Sequence, residues 1–271
     1  AYDSAEVWAR KELFLLRDGE PAAVAGVPPD YFSADGQKWG NPLYDWSNRD
    51  KVFAFWKERI AHALTLFDVL RIDHFRAFAD YYAVPAENET AKFGEWHDGP
   101  STALFEYLET ELGELPLIAE DLGELSEKAR ALPVLCGFPG MKVLQFGLLG
   151  DQKSNPHAIR NFTKAFVGYT GTHDNDTALG WYSSLSAGEQ AQVRARLGSG
   201  NVALGMIKRL YKSRVRTAIV PIQDFLQQGS SYRTNTPGTL GGNWQYRLSE
   251  IPPLKTADSI RALGQKYNRA V

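Results

Sequence analysis

The sequence predicts an α/β fold with a parallel sheet, because short apolar runs alternate with segments of helical periodicity from residue 50 onward. Polar residues follow nearly every apolar run, and in parallel sheets that end of the strands carries the ligand site. A (β/α)8 barrel and a doubly wound sheet share this arrangement, although five strands are fewer than a closed barrel needs. No dinucleotide or phosphate-loop motif supports nucleotide binding. The strands are predicted at residues 69–73, 115–120, 141–146, 165–170 and 217–222.

The helices between these strands follow from periodicity and capping signals. Residues 50–67 form one apolar face, because apolar side chains recur at spacings of three and four. Ser101 is the expected N-cap of a helix that ends at Gly113, and Ser186 with Glu189 gives the capping-box pattern of another helix. Segments rich in Gly, Pro or Asn are predicted as loops, namely residues 1–49, 85–100 and 229–247.

Composition narrows the classes of function. The 271 residues carry a formal net charge of −2, so neither nucleic acid nor an anionic membrane is expected as the main partner. No apolar stretch reaches the length of a transmembrane helix, and no signal-peptide pattern opens the chain. Cys136 is the only cysteine, so no intrachain disulfide ties the chain to an oxidising compartment. A cytoplasmic protein is therefore expected.

Residues 31–46 interleave aromatic side chains with Gly and Asn. One interpretation is a surface loop that is held in place by its own aromatic side chains. The other is a flap over a cleft, in which aromatic faces would stack on sugar rings. Composition alone leaves both interpretations open. The aromatic residues are Tyr31, Phe32, Trp39, Tyr44 and Trp46.

Three carboxylates stand where predicted strands end, and we expect Asp73, Glu120 and Asp174 to converge on one sugar-cleaving site. Glycosidic bond cleavage needs one carboxyl group that donates a proton and another that attacks the anomeric carbon or activates water. Asp73 suits the nucleophile, because Arg71 points to the same side of the strand and favours the ionised form. Glu120 suits the acid, because a neighbouring carboxylate raises the pKa of such a group. Asp174 would bind sugar hydroxyls and stabilise positive charge.

Each carboxylate also has a structural interpretation. Asp73 beside Arg71 is compatible with a structural ion pair, and Glu120 with the cap of the next helix. The sequence HDND at residues 173–176 is compatible with a turn or with a metal site, although no second histidine lies at ligand spacing. All three structural interpretations must hold together to remove the site, so the three carboxylates jointly favour catalysis.

The chain resembles the 4-alpha-glucanotransferases, also called amylomaltases or disproportionating enzymes, of the alpha-amylase superfamily. The matching motifs occur in the family's order over nearly the whole chain, and a chance match to all of them is negligible. They are GVPPDYFS at 26–33, GQKWGNPLY at 36–44, RIDHFR at 71–76, IAEDLG at 118–123, GMKVLQF at 140–146, TGTHDNDT at 170–177, NTPG at 235–238 and GNW at 242–244.

The resemblance implies a role for each matching residue. Asp73 falls on the family's nucleophile, which forms a covalent glucosyl-enzyme, and Glu120 falls on the general acid/base. Asp174 falls on the third carboxylate, which stabilises the transition state. Catalysis in the family uses no cofactor and no metal. The implied substrate contacts are Arg71 and His173 at the cleavage subsite, Tyr31, Phe32, Gln37 and Trp39 on a flexible loop over the acceptor side, and Asn235.

The resemblance also implies a (β/α)8 TIM barrel, in which residues 1–271 are the C-terminal portion of the catalytic domain and carry roughly the last five strands. The chain is then expected to need the missing N-terminal part of its own fold and to be inactive or insoluble alone. Expected substrates are a maltooligosaccharide, starch or glycogen donor and a sugar acceptor, with retaining transfer of alpha-1,4-glucan segments. An alpha-glucan hydrolase of the same superfamily and an inactive alpha-glucan-binding fragment remain the alternatives.

Overall fold

The computed structural model describes residues 2–29, 33–239 and 241–269. The chain divides into two compact units, Ala1–Gly140 and Met141–Val271. The strands are β1 (Leu16–Arg17), β2 (Glu20–Pro21), β3 (Ala23–Val27), β4 (Gln37–Pro42), β5 (Leu70–Ile72), β6 (Asp80–Pro85), β7 (Glu95–Asp98), β8 (Leu117–Ala119), β9 (Gly140–Val143), β10 (Phe166–Tyr169) and β11 (Thr217–Ile219). The α-helices are α1 (Ala5–Ala9), α2 (Arg49–Leu64), α3 (Thr102–Leu112), α4 (Glu127–Leu135), α5 (Leu144–Gly147), α6 (Ala178–Ser184), α7 (Ala187–Leu197), α8 (Val202–Tyr211), α9 (Ile222–Phe225) and α10 (Leu254–Lys266). None of the helices in these described ranges is long and apolar enough to cross a membrane.

The first unit contains an antiparallel sheet with the strand order β4-β3-β6-β7. At Gly26, β3 approaches β4 so closely that a Cβ would lie 2.4 Å from the carbonyl oxygen of Gln37. The prediction of loops at residues 1–49 and 85–100 was wrong for these strands. Small residues, Gly and Pro hide the alternation of β3 and β4, whereas all four residues of β7 are exposed, so no buried face marks that strand. The sheet buries a small core of its own, which consists of Val24, Tyr82, Val84 and Ala91.

The first unit also contains the parallel pair β5 and β8. Leu70 lies opposite Leu117, and Ile72 lies opposite Ala119. Because the strands run parallel in this register, the residues that follow them emerge at the same edge. An aromatic core packs around the pair and includes Phe53, Phe75, Phe78, Phe105 and Phe138.

Most of the predicted helices of both units are confirmed. The helix expected at residues 50–67 is α2, which ends earlier than expected, at Leu64. Gly113 follows α3, as predicted, and its φ of +79° lies in the left-handed region that favours glycine. Ser101 occupies the N-cap position of α3, but its side chain makes no capping hydrogen bond. Ser186 and Glu189 form the predicted capping box at the start of α7.

The second unit is built on a sheet with the strand order β11-β10-β9, in which β10 and β11 run parallel. All five predicted strands of the chain are shorter than expected, and two of them end where a helix begins. β9 ends at Val143 because α5 begins at the next residue, and β11 ends at Ile219, just before Pro221 starts α9. Parallel pairing in each unit confirms the predicted α/β class. Helices α6, α7 and α8 pack over an apolar cluster that includes Leu144, Phe162, Val193, Met206 and Leu210.

Candidate active site

Asp73 and Glu120 follow the two paired strands of the first unit. The backbone N–H of Glu120 donates to the carbonyl oxygen of Ile72 at 3.0 Å, which extends the parallel pairing by one step beyond Ala119. The two carboxylates therefore leave neighbouring strands at the same edge, as the sequence predicted. This placement comes from backbone register alone and needs no side-chain contact between them.

The Glu120 carboxylate is half-buried and is bound by the backbone. It accepts a hydrogen bond from the N–H of His74 at 2.8 Å and another from the N–H of Leu122 at 2.9 Å. Burial raises the pKa of the Glu120 carboxyl above its ordinary value, and the negative charge of Asp73 raises it further. The two N–H donors and the guanidinium of Arg71 act in the opposite direction, but burial dominates. A carboxyl group in this environment holds a proton to higher pH than an ordinary glutamate does.

The Asp73 carboxylate differs from Glu120 in its exposure, since 77% of its side-chain surface is open to solvent. Its Oδ1 lies 2.8 Å from a guanidinium nitrogen of Arg71, which stands on β5 two residues before it. The ion pair that the sequence predicted is therefore present. Ion pairing and availability for attack are compatible, because the carboxylate remains accessible to a ligand.

His74 was quoted in the sequence motif but was given no role there. Its φ of +46° lies in the left-handed region, which turns its backbone N–H toward Glu120. Burial, together with the nearby charge of Arg76, lowers the pKa of the His74 imidazole to about 4, so the ring is neutral at neutral pH. The adjacent pair Asp73-His74 is the only sequence signal for this residue, because a left-handed conformation cannot be read from residue type alone.

The aromatic segment adds one side chain to this cluster. The indole of Trp39, on β4, meets the ring of His74 edge-on, with ring centroids 4.8 Å apart. Its Nε1 donates to Oε1 of Gln37 at 3.2 Å. Both predicted contact residues therefore lie next to the Asp73 and Glu120 edge. Two further predicted contacts, Tyr31 and Phe32, lie outside the described residues.

The second unit brings together the other predicted site residues. Asp174 accepts a hydrogen bond from the side-chain amide of Asn235 at 2.6 Å, and its Oδ2 lies 3.3 Å from Nε2 of His173. The backbone N–H of Asn235 also donates to the carbonyl oxygen of His173 at 3.2 Å. Asp174, His173 and Asn235 thus form one cluster, although 61 residues separate Asp174 from Asn235.

The loop that carries Asp174 is held at both ends by one buried carboxylate. Asp224 accepts a hydrogen bond from the Thr170 hydroxyl at 2.6 Å, where β10 ends, and another from the Ala178 N–H at 2.7 Å, where α6 begins. Burial raises the pKa of the Asp224 carboxyl. The sequence predicted a strand at residues 217–222 and gave Asp224 no role, because both contacts come from the distant loop.

Within that loop, the segment at residues 173–176 is a turn. The Asn175 side chain accepts from the backbone N–H of Thr172 at 2.8 Å, and the Asp176 carboxylate accepts from the Ser230 hydroxyl at 2.6 Å. These oxygens therefore serve the backbone and the neighbouring loop. No group of three or more His, Cys, Asp or Glu side chains placed to hold a metal ion occurs among the described residues.

Two more residues of the second cluster were missed. The guanidinium of Arg233 donates to the carbonyl oxygens of Asp174 at 2.6 Å and of Asn235 at 2.7 Å. The indole of Trp244 lies against the His173 ring, with centroids 5.0 Å apart. Trp244 belongs to the matched motif at 242–244, and Arg233 stands two residues before the one at 235–238. A signal was therefore present, but their contacts depend on how the loop folds back.

Comparison with known proteins identifies the family. Residues 1–254 match the family model described as 4-alpha-glucanotransferase. The chain belongs to this family. The match confirms the resemblance that the motifs indicated. Both clusters are interpreted below by comparison with the 4-alpha-glucanotransferase family.

Among 4-alpha-glucanotransferases, the chain is 43% identical to the chloroplastic or amyloplastic DPE1 of Arabidopsis thaliana over 277 residues, which cover 99% of this chain and 48% of that protein. It is also 43% identical to the 4-alpha-glucanotransferase of Thermus thermophilus, with 99% of this chain and 56% of that protein covered. Its fold is similar to that of the amylomaltase from Streptococcus agalactiae in complex with acarbose, with a TM-score of 0.94, 38% identity, and coverage of 100% of this chain and 56% of the other. The chain thus spans about half the length of the curated relatives it matches.

Proposed function

We propose that this chain provides the carboxylates of a retaining 4-alpha-glucanotransferase, which moves alpha-1,4-glucan segments from a donor to an acceptor sugar. The observation that supports this most strongly is the contrast between Asp73 and Glu120 at one strand edge. Asp73 is exposed beside a cation, whereas burial raises the pKa of Glu120. Two carboxyl groups in different environments are the arrangement that acid–nucleophile catalysis of glycoside cleavage needs.

In the first step, a carboxylate oxygen of Asp73 attacks the anomeric carbon of the donor, and the bond from that carbon to the glycosidic oxygen breaks. Glu120 gives its proton to the departing oxygen, so the leaving sugar departs with a hydroxyl group. The products are a covalent glucosyl-enzyme on Asp73 and an ionised Glu120. Asp174 stabilises the positive charge that develops at the ring, as the third carboxylate of the family does.

In the second step, the ionised Glu120 takes the proton of an acceptor hydroxyl, whose oxygen attacks the anomeric carbon. The bond to Asp73 breaks, and both carboxyl groups return to their starting states. Two displacements at one carbon retain its configuration. Arg71 and His173 hold the sugar at the cleavage subsite in this proposal, and Asn235 contacts the substrate beside Asp174.

Transfer, rather than hydrolysis, requires that a sugar reach the glucosyl-enzyme before water does. Gln37 and Trp39 lie next to the Asp73 and Glu120 edge, which supports a role for this segment on the acceptor side. The proposal extends that role to Tyr31 and Phe32. The amylomaltase from Streptococcus agalactiae was solved with acarbose, which supports a maltooligosaccharide as donor.

The proposal also includes the architecture. Residues 1–271 form the C-terminal portion of one catalytic (β/α)8-barrel domain, and activity needs the part of the fold that relatives have outside the match. The parallel pairs β5-β8 and β10-β11, each with a candidate catalytic carboxylate just beyond a strand end, support this. The proposal also includes a cytoplasmic location, with neither nucleic acid nor a membrane as a partner.

The test needs a polypeptide of the relatives' length. We define the chimaera as the Thermus thermophilus 4-alpha-glucanotransferase in which residues 1–271 of this chain replace the matching segment. Incubated with maltotriose, the chimaera is expected to yield glucose and longer maltooligosaccharides. Glucose and maltose alone would indicate the hydrolase instead.

The 271-residue chain by itself is the second arm of the experiment. It is expected to give no transfer products, because relatives are about twice its length. Disproportionation of maltotriose by this chain alone would contradict the proposed need for the rest of the barrel. A chimaera that folds, judged by cooperative thermal unfolding, and binds maltotriose without turnover would favour the binding fragment.

A further inference from the structure

Trp244 has a backbone conformation that large side chains rarely adopt. Its φ is +61°, in the left-handed region, where bulky L-residues are uncommon. The conformation is held by a hydrogen bond from its N–H to the carbonyl oxygen of Thr234 at 2.7 Å. Asn243 supports the same loop by accepting from the N–H of Thr236 at 2.9 Å. Glycine suits such a position better, and the neighbouring Gly241 and Gly242 take positive φ without strain.

Burial in the core does not offset this strain, because the indole of Trp244 lies largely outside the core. Trp244 is 59% exposed, and its ring contact is with the imidazole of His173, at a tilt of 39°. That imidazole in turn lies 3.3 Å from the Asp174 carboxylate. Asn235 binds Asp174 directly, and it belongs to the same loop as Trp244. One loop therefore contacts both His173 and Asp174, and the strained residue is the one whose side chain lies against the His173 ring.

We propose that Trp244 is a positioning residue, whose indole holds the His173 imidazole against Asp174. Strained backbone persists where the surrounding structure enforces it, and it concentrates at functional sites. Without the indole, the imidazole would keep its partner Asp174 but lose the surface that limits its rotation. The consequence for sugar binding rests on the proposed function, whereas the effect on His173 does not.

The direct test is the NMR signal of the His173 ring in the 271-residue chain, because an aromatic face shifts the ring protons that lie against it. Trp244→Asn removes the indole, and Asn tolerates the left-handed backbone, so the loop keeps its conformation. Trp244→Phe keeps an aromatic face. Trp8→Ala is the matched control, since it removes an indole that is 83% exposed in the other unit.

We expect Trp244→Asn to move the His173 signals far more than Trp8→Ala does, and Trp244→Phe to restore most of the wild-type position. The melting temperature of Trp244→Asn is expected to equal or exceed that of the wild type, because backbone strain is relieved. His173 signals that stay at the wild-type position in Trp244→Asn would overturn the proposal. A fall in melting temperature, with the Asn235 signals displaced as well, would show a structural role and would also overturn it.

In the chimaera, Trp244→Asn is expected to raise KM for maltotriose more than it lowers kcat, with recovery in Trp244→Phe. If wild-type chimaera shows no transfer but the NMR result holds, the proposed function fails and the positioning role stands. If transfer is present and the His173 signals are unmoved, the positioning role fails and the proposed function stands.

Discussion

The cluster around Asp73 and Glu120 and the cluster around Asp174 contain the same residue types in different arrangements. Each has an aspartate next to a histidine in the sequence, with a tryptophan against the histidine ring. His74 contacts the Glu120 carboxylate through its backbone N–H, and its own ring is neutral at neutral pH. His173 contacts Asp174 through its imidazole. The first histidine therefore binds a carboxylate through its backbone, whereas the second presents a polar ring beside a carboxylate.

The clusters also differ in what fixes their carboxylates. Strand pairing places Glu120 beside Asp73, so local backbone geometry is sufficient. Asp174 depends on Asn235 and Arg233, which are 61 and 59 residues further along the chain. In the proposed mechanism, the nucleophile and the acid thus follow paired strands, whereas loop contacts hold the carboxylate proposed to stabilise positive charge.

The largest effect is expected for Asp73→Asn in the chimaera. An amide cannot form the glucosyl ester, so transfer should fall to almost nothing and no covalent adduct should appear by mass spectrometry. Asp98→Asn is the matched control, because Asp98 is equally exposed, at 80%, and also pairs with a cation, Lys128. A near-normal rate for Asp73→Asn would show that the nucleophile lies elsewhere.

Glu120→Gln in the chimaera should slow transfer from maltotriose by about 10²–10⁴-fold, because proton donation is lost. A glycosyl fluoride donor separates this role from binding, since fluoride leaves without a proton. With that donor the variant should accumulate the glucosyl-enzyme, and added azide should release it without a general base. Equal impairment with both donors would contradict the acid/base assignment. Glu111→Gln, which removes an ion-paired surface carboxylate, serves as the control.

The next largest effects are expected in the free energy of unfolding, and they differ between the two units. In the first unit, Arg76 forms an ion pair with the buried Asp80, which also accepts from the Ser126 hydroxyl. Arg76→Met leaves the Asp80 charge uncompensated, so we expect a loss of about 3–5 kcal/mol in the free energy of unfolding.

The counterpart in the second unit is Thr170→Val, which removes one of the two hydrogen bonds to the buried Asp224. Its expected loss is smaller, about 1.5–3 kcal/mol, because no charge loses its counter-ion. Urea unfolding of the 271-residue chain measures both variants. A larger loss for Thr170→Val would reverse the ranking. It would show that the hydrogen bond that holds the Asp174 loop contributes more to the free energy of unfolding than the Arg76–Asp80 ion pair does.

The sequence allowed prediction of the strand edge, because an apolar run that ends in a carboxylate reports directly on a parallel strand. It was less informative where a strand passes into a helix. The apolar runs at residues 141–146 and 217–222 continue across that boundary, and short runs carry no period that separates the two structures. The antiparallel sheet escaped prediction because β3 and β4 are rich in small residues and Gly.

The supporting residues of the site were beyond sequence reasoning for a different reason. His74 and Trp244 act through left-handed backbone, which no residue type other than Gly or Asn announces. Arg233 and Asp224 act through contacts with segments more than forty residues away. Residue type indicates which chemistry is available, whereas long-range folding decides which groups support it.

The smallest expected effect is the contribution of Glu120 to the pH dependence of stability. It shows whether burial or hydrogen bonding has the larger influence on the pKa of the Glu120 carboxyl. Burial raises the folded-state pKa of Glu120 above its ordinary value of 4.5. The folded chain then binds the proton more tightly than the unfolded chain does, so this group favours folding below about pH 4.5 and loses that contribution as pH rises through the raised pKa. Glu120→Gln lacks this titration. The melting temperature of the variant, relative to wild type, should therefore rise between about pH 4.5 and neutral pH, by more than Glu111→Gln shows. A relative fall over the same range would mean that the N–H donors of His74 and Leu122 stabilise the anion more than burial opposes it, and Glu120 would then be a poor proton donor.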